Sequence, residues 1–514
     1  MASLLPRLGR AVRFWIQSPA AGRLRDVRPL SSMGVSGAQV AEKTRLKTID
    51  DLPGPSQLEL LYWFFVRGYL FRSHELEAKL RMKYGPMWKS TVAEVQFVNI
   101  ASPELLEALL KQEDKYPMRA DMAKWRRHRD LKGHSYGPLT EQGHRWHVLR
   151  TMMNKNIAKP GDVVRYTDSL NEVIGELLTK IKQLTEANPS GLEVKNVAEL
   201  MYSFAFESIC EIIFETRLGC LKSEISEETR NMIRSVGTMM ENQVIIEHLP
   251  EWTSSWLPYW ERFVESWDTL FAYGSKMINM KMEDIERRLQ RGDDLGGAYI
   301  TYLLTNGKLS LKEVVGLMPE LLQAGIDTTS NTMTWALYQL ARNPEIQNAL
   351  YEEVMSVIPG EKVPAYEDLP KMPLLKAVVK ETLRMYPVVP QNGRVITDKE
   401  AVLGGYVFPK NTLFVLSNYV LCYDENNFPE PHQFRPQRWL RSLGIKHHPF
   451  SSLPFGHGVR GCMGRRVAEL EMHLALSQII KKFQVLPGLE VKVINRVVLV
   501  SDIPIDLQFN ERQT

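Results

Sequence analysis

The stretch Phe455-Gly456-His457-Gly458-Val459-Arg460-Gly461-Cys462-Met463-Gly464 packs four glycines around one cysteine. A helical stripe of Val467, Leu470 and Leu474 begins directly after it. Glycine lets backbone approach a flat ligand closely and take positive φ. A cysteine at the head of a helix has its thiolate favoured by backbone N–H groups and the helix dipole, so the expected pKa is lowered. Such a thiolate is a metal ligand. The competing reading is a buried structural thiol, which is what a lone cysteine ordinarily is.

Upstream, Ala324-Gly325-Ile326-Asp327-Thr328-Thr329 interrupts an apolar helix predicted over Leu311 to Ala341. Thr and Asp side chains inside a helix bond to nearby backbone groups, and beside a glycine this opens a local groove. Otherwise the three are an ordinary solvated cluster. Glu381 and Arg384 share a helix face at i, i+3, and Arg438 in Phe434-Arg435-Pro436-Gln437-Arg438-Trp439 offers a second cation. That spacing predicts Glu381 clamped between two arginines. A bare Glu-x-x-Arg is also a common surface pair.

The elements that must position these groups follow from pattern and composition. The 514 residues are 44% hydrophobic and 24% charged, which is ordinary globular usage and excludes a disordered or fibrous chain. A net charge of +4 is too small to argue for nucleic acid. Four cysteines, with no Cys-x-x-Cys, argue against structural zinc and against a disulfide scaffold. Helical periodicity dominates about residues 160–385, with Val164, Tyr166, Leu170, Val173 and Leu177 as one stripe. Strands are expected in Met87 to Ile100, Val395 to Leu421 and Val491 to Phe509, the last as a hairpin turning at Pro504. The expected architecture is mainly α with small β-sheets, in one large domain over residues 56–514.

Residues 31–55 read as a linker ending in Asp50-Asp51-Leu52-Pro53-Gly54-Pro55. Residues 1–30 carry six arginines against one acid, with apolar residues interleaved, which is the pattern of a mitochondrial presequence. A disordered basic tail that binds anionic lipid is the alternative. The apolar run Leu60 to Val66 is far too short to cross a bilayer, which needs about 17 residues. Leu249 to Tyr273 is rich in Trp, Tyr and Phe, and reads either as a contact with a membrane surface or as helical core.

Phe-x-x-Gly-x-Arg-x-Cys-x-Gly over 455–464 resembles the haem-binding signature of the cytochromes P-450, matching every fixed position. The Asp-Thr-Thr helix, the Glu-x-x-Arg and Trp146-His147-Val148-Leu149-Arg150 resemble family motifs in the right order. The resemblance implies the cytochrome P-450 fold and haem b, with Cys462 as the iron ligand. It implies Phe455 against the cofactor, and Trp146, Arg150, Arg394 and Arg460 at its propionates. Asp327 and Thr328 are then expected to deliver protons or order water, and Glu381, Arg384 and Arg438 to lock the fold. A thiolate ligand donates electron density that favours O–O cleavage, so the implied activity is monooxygenation.

The presequence pattern, the lack of an N-terminal anchor helix and Arg465-Arg466-Val467-Ala468-Glu469-Leu470-Glu471 resemble the family's mitochondrial branch. This implies an adrenodoxin-type [2Fe-2S] ferredoxin docking on Lys376 and Lys380, and a peripheral position on the matrix side of the inner membrane. Lys83-Tyr84-Gly85-Pro86-Met87-Trp88, Lys115-Tyr116-Pro117-Met118-Arg119 and Met385-Tyr386-Pro387-Val388-Val389-Pro390 resemble the sterol-oxidising members. The implied substrates are the side chains of cholesterol, bile-acid intermediates and vitamin D, held by Val388, Val389 and Pro390. A vitamin D hydroxylase or retinoid desaturase of the same branch is the alternative. Gly461, Met463 and Gln391-Asn392-Gly393 depart from the expected pattern. From other classes, a haem sensor or electron carrier and a peripheral lipid-binding protein remain open.

Overall fold

Leu170, Val173, Ile174, Leu177 and Ile181 recur at intervals of three and four, and all five are fully buried. A stripe at that spacing makes one apolar face of a helix, which is stable once packed on a partner. The computed structural model describes residues 46–512 apart from 93, 223–224, 294 and 296–298. The predicted presequence and residues 31–45 of the predicted linker lie outside the described residues.

The elements that position the site begin with α1 (Ser73–Tyr84), β1 (Met87–Val92), β2 (Val95–Ile100) and α2 (Gly143–Met153). They continue through α3 (Thr167–Ala187), β3 (Glu193–Val194), α4 (Val197–Phe214), α5 (Tyr259–Arg291), α6 (Leu311–Arg342) and α7 (Pro373–Met385). The C-terminal part supplies β4 (Asn392–Val395), β5 (Leu413–Leu416), α8 (Asn418–Cys422) and α9 (Arg465–Lys482). Last come β6 (Phe483–Pro487), β7 (Val493–Arg496), β8 (Val498–Ser501) and β9 (Leu507–Glu511).

Helix α6 runs through the centre. Ser310 caps it and exchanges hydrogen bonds with Glu313 in a capping box, which defines where it starts. It is buried almost all round, and its hydroxyls are satisfied by bonding back onto its own carbonyls, as from Thr332 to Thr328 at 2.8 Å. Gly325 lets α6 approach α4, since a Cβ there would stand 2.8 Å from Ile209 Cγ1. One sheet runs β1-β2-β5-β4, with β2 and β5 parallel and Val98 opposite Phe414. A second runs β3-β9-β6.

The structure differs from the sequence expectation in four places. The C-terminal hairpin turns at Val497, in the left-handed region at φ 70°, and not at Pro504. Beyond Pro504, β9 pairs with β6, a strand the sequence pattern did not reveal. Residues 418–421, the end of the stretch expected as strand, lie in the short helix α8. Residues 46–55 belong to the fold: Lys47 donates to Gly405 O at 3.1 Å, and Leu52 is buried in the core beside β2 and β5. The aromatic stretch after Leu249 divides between its two readings. Phe263, Trp267, Leu270, Phe271 and Tyr273 are core, whereas Trp252 and Trp256 are 61% and 82% exposed.

Candidate active site

The cysteine loop is closed by its own backbone. The Cys462 N–H donates to Phe455 O at 2.7 Å and the Gly461 N–H to Gly458 O at 2.9 Å. Gly456 and Gly458 take φ of 70° and 65°, a region that disfavours side chains. Arg150, on α2, reaches over and donates to Gly461 O at 2.5 Å. The loop is the floor of a cavity of about 2200 Å³ whose walls are mostly apolar. Cys462 is enclosed by protein yet reached by solvent, because its thiol faces that cavity.

Burial raises the Cys462 thiol pKa, against the expected lowering. Helix α9 starts at Arg465, three residues late, so the helix terminus gives little of its effect. The Gly464 N–H and the cations Arg150, Arg119 and Arg465 pull the pKa back only in part. A metal ion would complete what they begin, since a coordinated thiol is deprotonated outright.

Beside the floor lies a cradle of arginines. Arg460 is 1% exposed and stacks 3.6 Å from the centre of the Trp146 ring. It donates to Pro117 O and to Gln142 Oε1, each at 2.6 Å. Arg119 donates to Arg460 O at 2.8 Å. Arg460 Nη1, Arg119 Nε and Arg150 Nε are buried with no hydrogen-bond partner. Desolvation, with mutual repulsion added, pushes Arg460 down to about 8 and Arg119 to about 10. Unpaired buried cations are costly, so the cradle is built for an anion.

These residues fit a haem. A thiol sits on a glycine floor, and the three arginines that line the cavity beside it keep N–H groups without protein partners, which suits a group with two carboxylates. Arg119 was missed by motif reasoning, because an arginine in a loop after Pro117 has no periodicity to mark it. The resemblance of Lys115 to Arg119 was its one signal. Arg394 stands near the cradle, since its charge acts on both Arg460 and Arg119. It is not among the cavity's lining residues, and its Nε is engaged by Glu113 Oε1 at 2.6 Å.

The expected pair Asp327 and Thr328 is split. Thr328 lines the cavity and donates to Ala324 O at 2.7 Å, as residues inside a helix do. Consecutive helix residues point about 100° apart, so the two cannot face the same way. Asp327 faces Tyr202 on α4, whose hydroxyl donates to Asp327 Oδ1, and Asn331 adds a longer bond at 3.3 Å. Burial pushes Asp327 up to about 6. Phe455, Val388 and Val389 line the cavity. Pro390 does not; its carbonyl accepts from the Tyr419 N–H at 3.0 Å.

The Glu381 clamp is present in full. Arg384 forks onto both carboxylate oxygens at 2.8 and 2.9 Å, and Arg438 Nε adds 3.0 Å. Trp439 Nε1 and the Arg435 N–H also donate to Glu381, at 2.8 and 3.0 Å. Arg384 reaches Cys422 O at 2.9 Å, tying α7 to α8. Lys380 is exposed and Lys376 half-buried on α7. Glu469 on α9, which binds Arg465 and Arg466, acts on Lys376 through space.

A family model described as Cytochrome P450 matches residues 52–509. Sterol 26-hydroxylase, mitochondrial, of Rattus norvegicus is 49% identical over 483 residues, 92% of this chain and 90% of that protein. The protein of the same name from Homo sapiens is 46% identical over 490 residues, 93% of this chain and 92% of the relative. 25-hydroxyvitamin D-1 alpha hydroxylase, mitochondrial, of Homo sapiens is 38% identical over 497 residues, 95% of this chain and 97% of its own. The chain belongs to the cytochrome P450 family, whose haem is its cofactor.

Proposed function

We propose that this monooxygenase hydroxylates the side chain of cholesterol and related sterols in the mitochondrion, in the manner of a sterol 27-hydroxylase. The observation that carries the reading is the likeness to sterol 26-hydroxylases along nearly the whole chain, 49% in the rat protein. The cavity agrees in size and chemistry, being large, mostly apolar and floored by the cysteine.

When bound, haem supplies activation of dioxygen for attack on a C–H bond that has no polar handle. The chain's own groups do the rest. Cys462 holds the iron, and Arg119, Arg150 and Arg460 hold the propionates. Val388 and Val389 shape the wall against which an aliphatic terminus rests, so position decides which carbon is attacked. Thr328 keeps a hydroxyl oxygen at the cavity after donating to Ala324, free to hold a water. Asp327 is set behind it with Tyr202 and acts as a proton store on the far side of α6.

Electrons come from an adrenodoxin-type ferredoxin docked on Lys376 and Lys380. Both lie on α7, beside the α9 end that carries Arg465 and Arg466, so a basic face adjoins the cysteine loop. Such a face speeds encounter with an acidic partner more than it tightens the complex. The enzyme lies peripherally on the matrix side of the inner membrane. Leu58, Tyr62, Val66, Trp252 and Trp256 are exposed, and all line the cavity, so its mouth carries the apolar patch. Among the described residues no helix is long and apolar enough to cross a membrane.

The test offers sterols, secosteroids and retinoids together with ferredoxin and its reductase, and identifies products by mass spectrometry. A sterol hydroxylated on its side chain is the expected product. Ring-hydroxylated secosteroid or desaturated retinoid in its place assigns the chain to another substrate, and no product at all favours a haem sensor. Cys462→Ala should abolish turnover of every compound.

A further inference from the structure

Glu320 on α6 is an acid buried completely at the edge of the cavity. Its Oε2 accepts from the Leu139 N–H at 2.7 Å. Its Oε1 accepts from the Thr140 hydroxyl at 2.7 Å and from Arg129 Nη2 at 3.4 Å. The Thr140 oxygen in turn accepts from the Gly137 N–H at 2.9 Å, so the turn 137–140 is wrapped round one carboxylate. Arg129 comes from the helical segment Ala123–Lys132, is itself fully buried, and stacks 3.6 Å from the centre of the Trp267 ring on α5. A buried carboxylate needs a cation and hydrogen-bond donors, and the segment before α2 supplies both. Two glycines permit the approach. A Cβ on Gly137 would overlap the Glu320 carboxylate, and one on Gly316 would stand 2.6 Å from Ser135 O. Gly316 and Glu320 are four residues apart, on one face of α6, so that face receives the chain from Ser135 to Thr140.

Pro138 and Leu139, in the middle of that turn, line the cavity. We propose that Glu320 is a positioning residue for the substrate: it anchors the turn 137–140, and through the turn it fixes Pro138 and Leu139 as part of the cavity wall. Glu320 does not touch the ligand, because protein encloses its side chain on every side. Without the anchor, the Leu139 N–H and the Thr140 hydroxyl would lack an acceptor in an enclosed place, and the turn would gain by moving toward water. A wall that moves holds an apolar ligand less firmly over the reacting centre. The proposal rests on the sterol reading above for the identity of the ligand and adds what holds one wall of its site.

Glu320 also acts on Arg119 through space, so replacing it would disturb the arginine cradle as well. The decisive variants therefore keep the acid. Thr140→Val removes one donor and strands the Gly137 N–H, whereas Gly137→Ala sets a methyl group against the carboxylate. In the haem-loaded enzyme, hydrogen–deuterium exchange of the backbone amides in 137–140 should speed about ten-fold in each variant, the scale of one net hydrogen bond. The dissociation constant for cholesterol, followed by the change in haem absorbance, should rise about five-fold to ten-fold. With ferredoxin and its reductase, kcat should stay within about two-fold of wild type, so the loss falls on KM, as expected of a group that holds substrate and takes no part in the chemistry. Haem content equal to wild type shows that both variants are folded. Unchanged exchange in both variants, or faster exchange with unchanged affinity for cholesterol, overturns the proposal and leaves the sterol reading standing. If the wild type binds no sterol, the sterol reading fails, and the exchange comparison alone decides whether Glu320 anchors the turn.

Discussion

The Glu381 clamp and the arginine cradle both bury arginines, with opposite outcomes. In the clamp, one carboxylate receives five hydrogen-bond donations, from Arg384 twice, Arg438, Trp439 and the Arg435 backbone. In the cradle, Arg119, Arg150 and Arg460 keep buried N–H groups without partners, and their charge is disfavoured. The clamp is complete as protein. The cradle is complete only with an anionic ligand, so its free energy is spent in advance on binding.

The sharpest break in that contrast is Glu381→Ala. Removing the acid strands two buried guanidinium groups, and the folded state should lose about 3–5 kcal/mol, read as a fall in the urea unfolding midpoint. Arg119→Gln should behave in the reverse sense. Without haem its stability should stay within about 0.5 kcal/mol of wild type, because the group removed was poorly compensated. Haem should leave it about ten-fold faster, measured by transfer to an acceptor protein. A large loss of apoprotein stability in Arg119→Gln would mean the cradle is as self-sufficient as the clamp.

Glu471, on the cavity wall in α9, extends the comparison to an acid. Burial raises it to about 8 from an ordinary 4.5, and its Oε1 has no partner. Between those values the unfolded chain ionises while the folded one stays protonated, so stability falls as pH rises from about 4.5 to about 8 and is level above. Glu471→Gln should match wild type near pH 4, exceed it in stability at pH 8, and flatten the slope between, as thermal melts at each pH would show. The smallest effect is at the surface. Lys376→Gln with Lys380→Gln should slow ferredoxin-driven turnover several-fold at low salt, less at high salt, and leave peroxide-driven turnover unchanged. Equal losses in both assays would remove these lysines from docking.

Legibility in the sequence followed distance along the chain. The cysteine loop, the Glu381 to Arg384 pair and the extent of α6 are all set within a few residues by glycine placement and helical period. The strands of β1 and β2 were likewise readable, from β-branched alternation. What failed lay among distant partners, although the pairing of Glu381 with Arg438, 57 residues apart, was legible. Pro504 looked like a turn, but the turn fell to Val497 because β9 pairs with β6 across the sheet. Arg119 carried no periodicity to mark it, and that Glu113 from another segment would pair with Arg394 was equally invisible in the sequence.

By itself, then, the order of residues determined the glycine-rich loop that presents Cys462, that a carboxylate and an arginine would share a turn, and that a long apolar helix would cross the middle. Local geometry decides these, because backbone period brings neighbours together wherever the segment lies. Only the tertiary structure decided which arginines are left unsatisfied around the cysteine, that Asp327 turns to Tyr202, and that Glu113 pairs with Arg394. Those outcomes depend on which buried group reaches a partner first when many segments compete for the same enclosed space, and linear spacing does not record that competition.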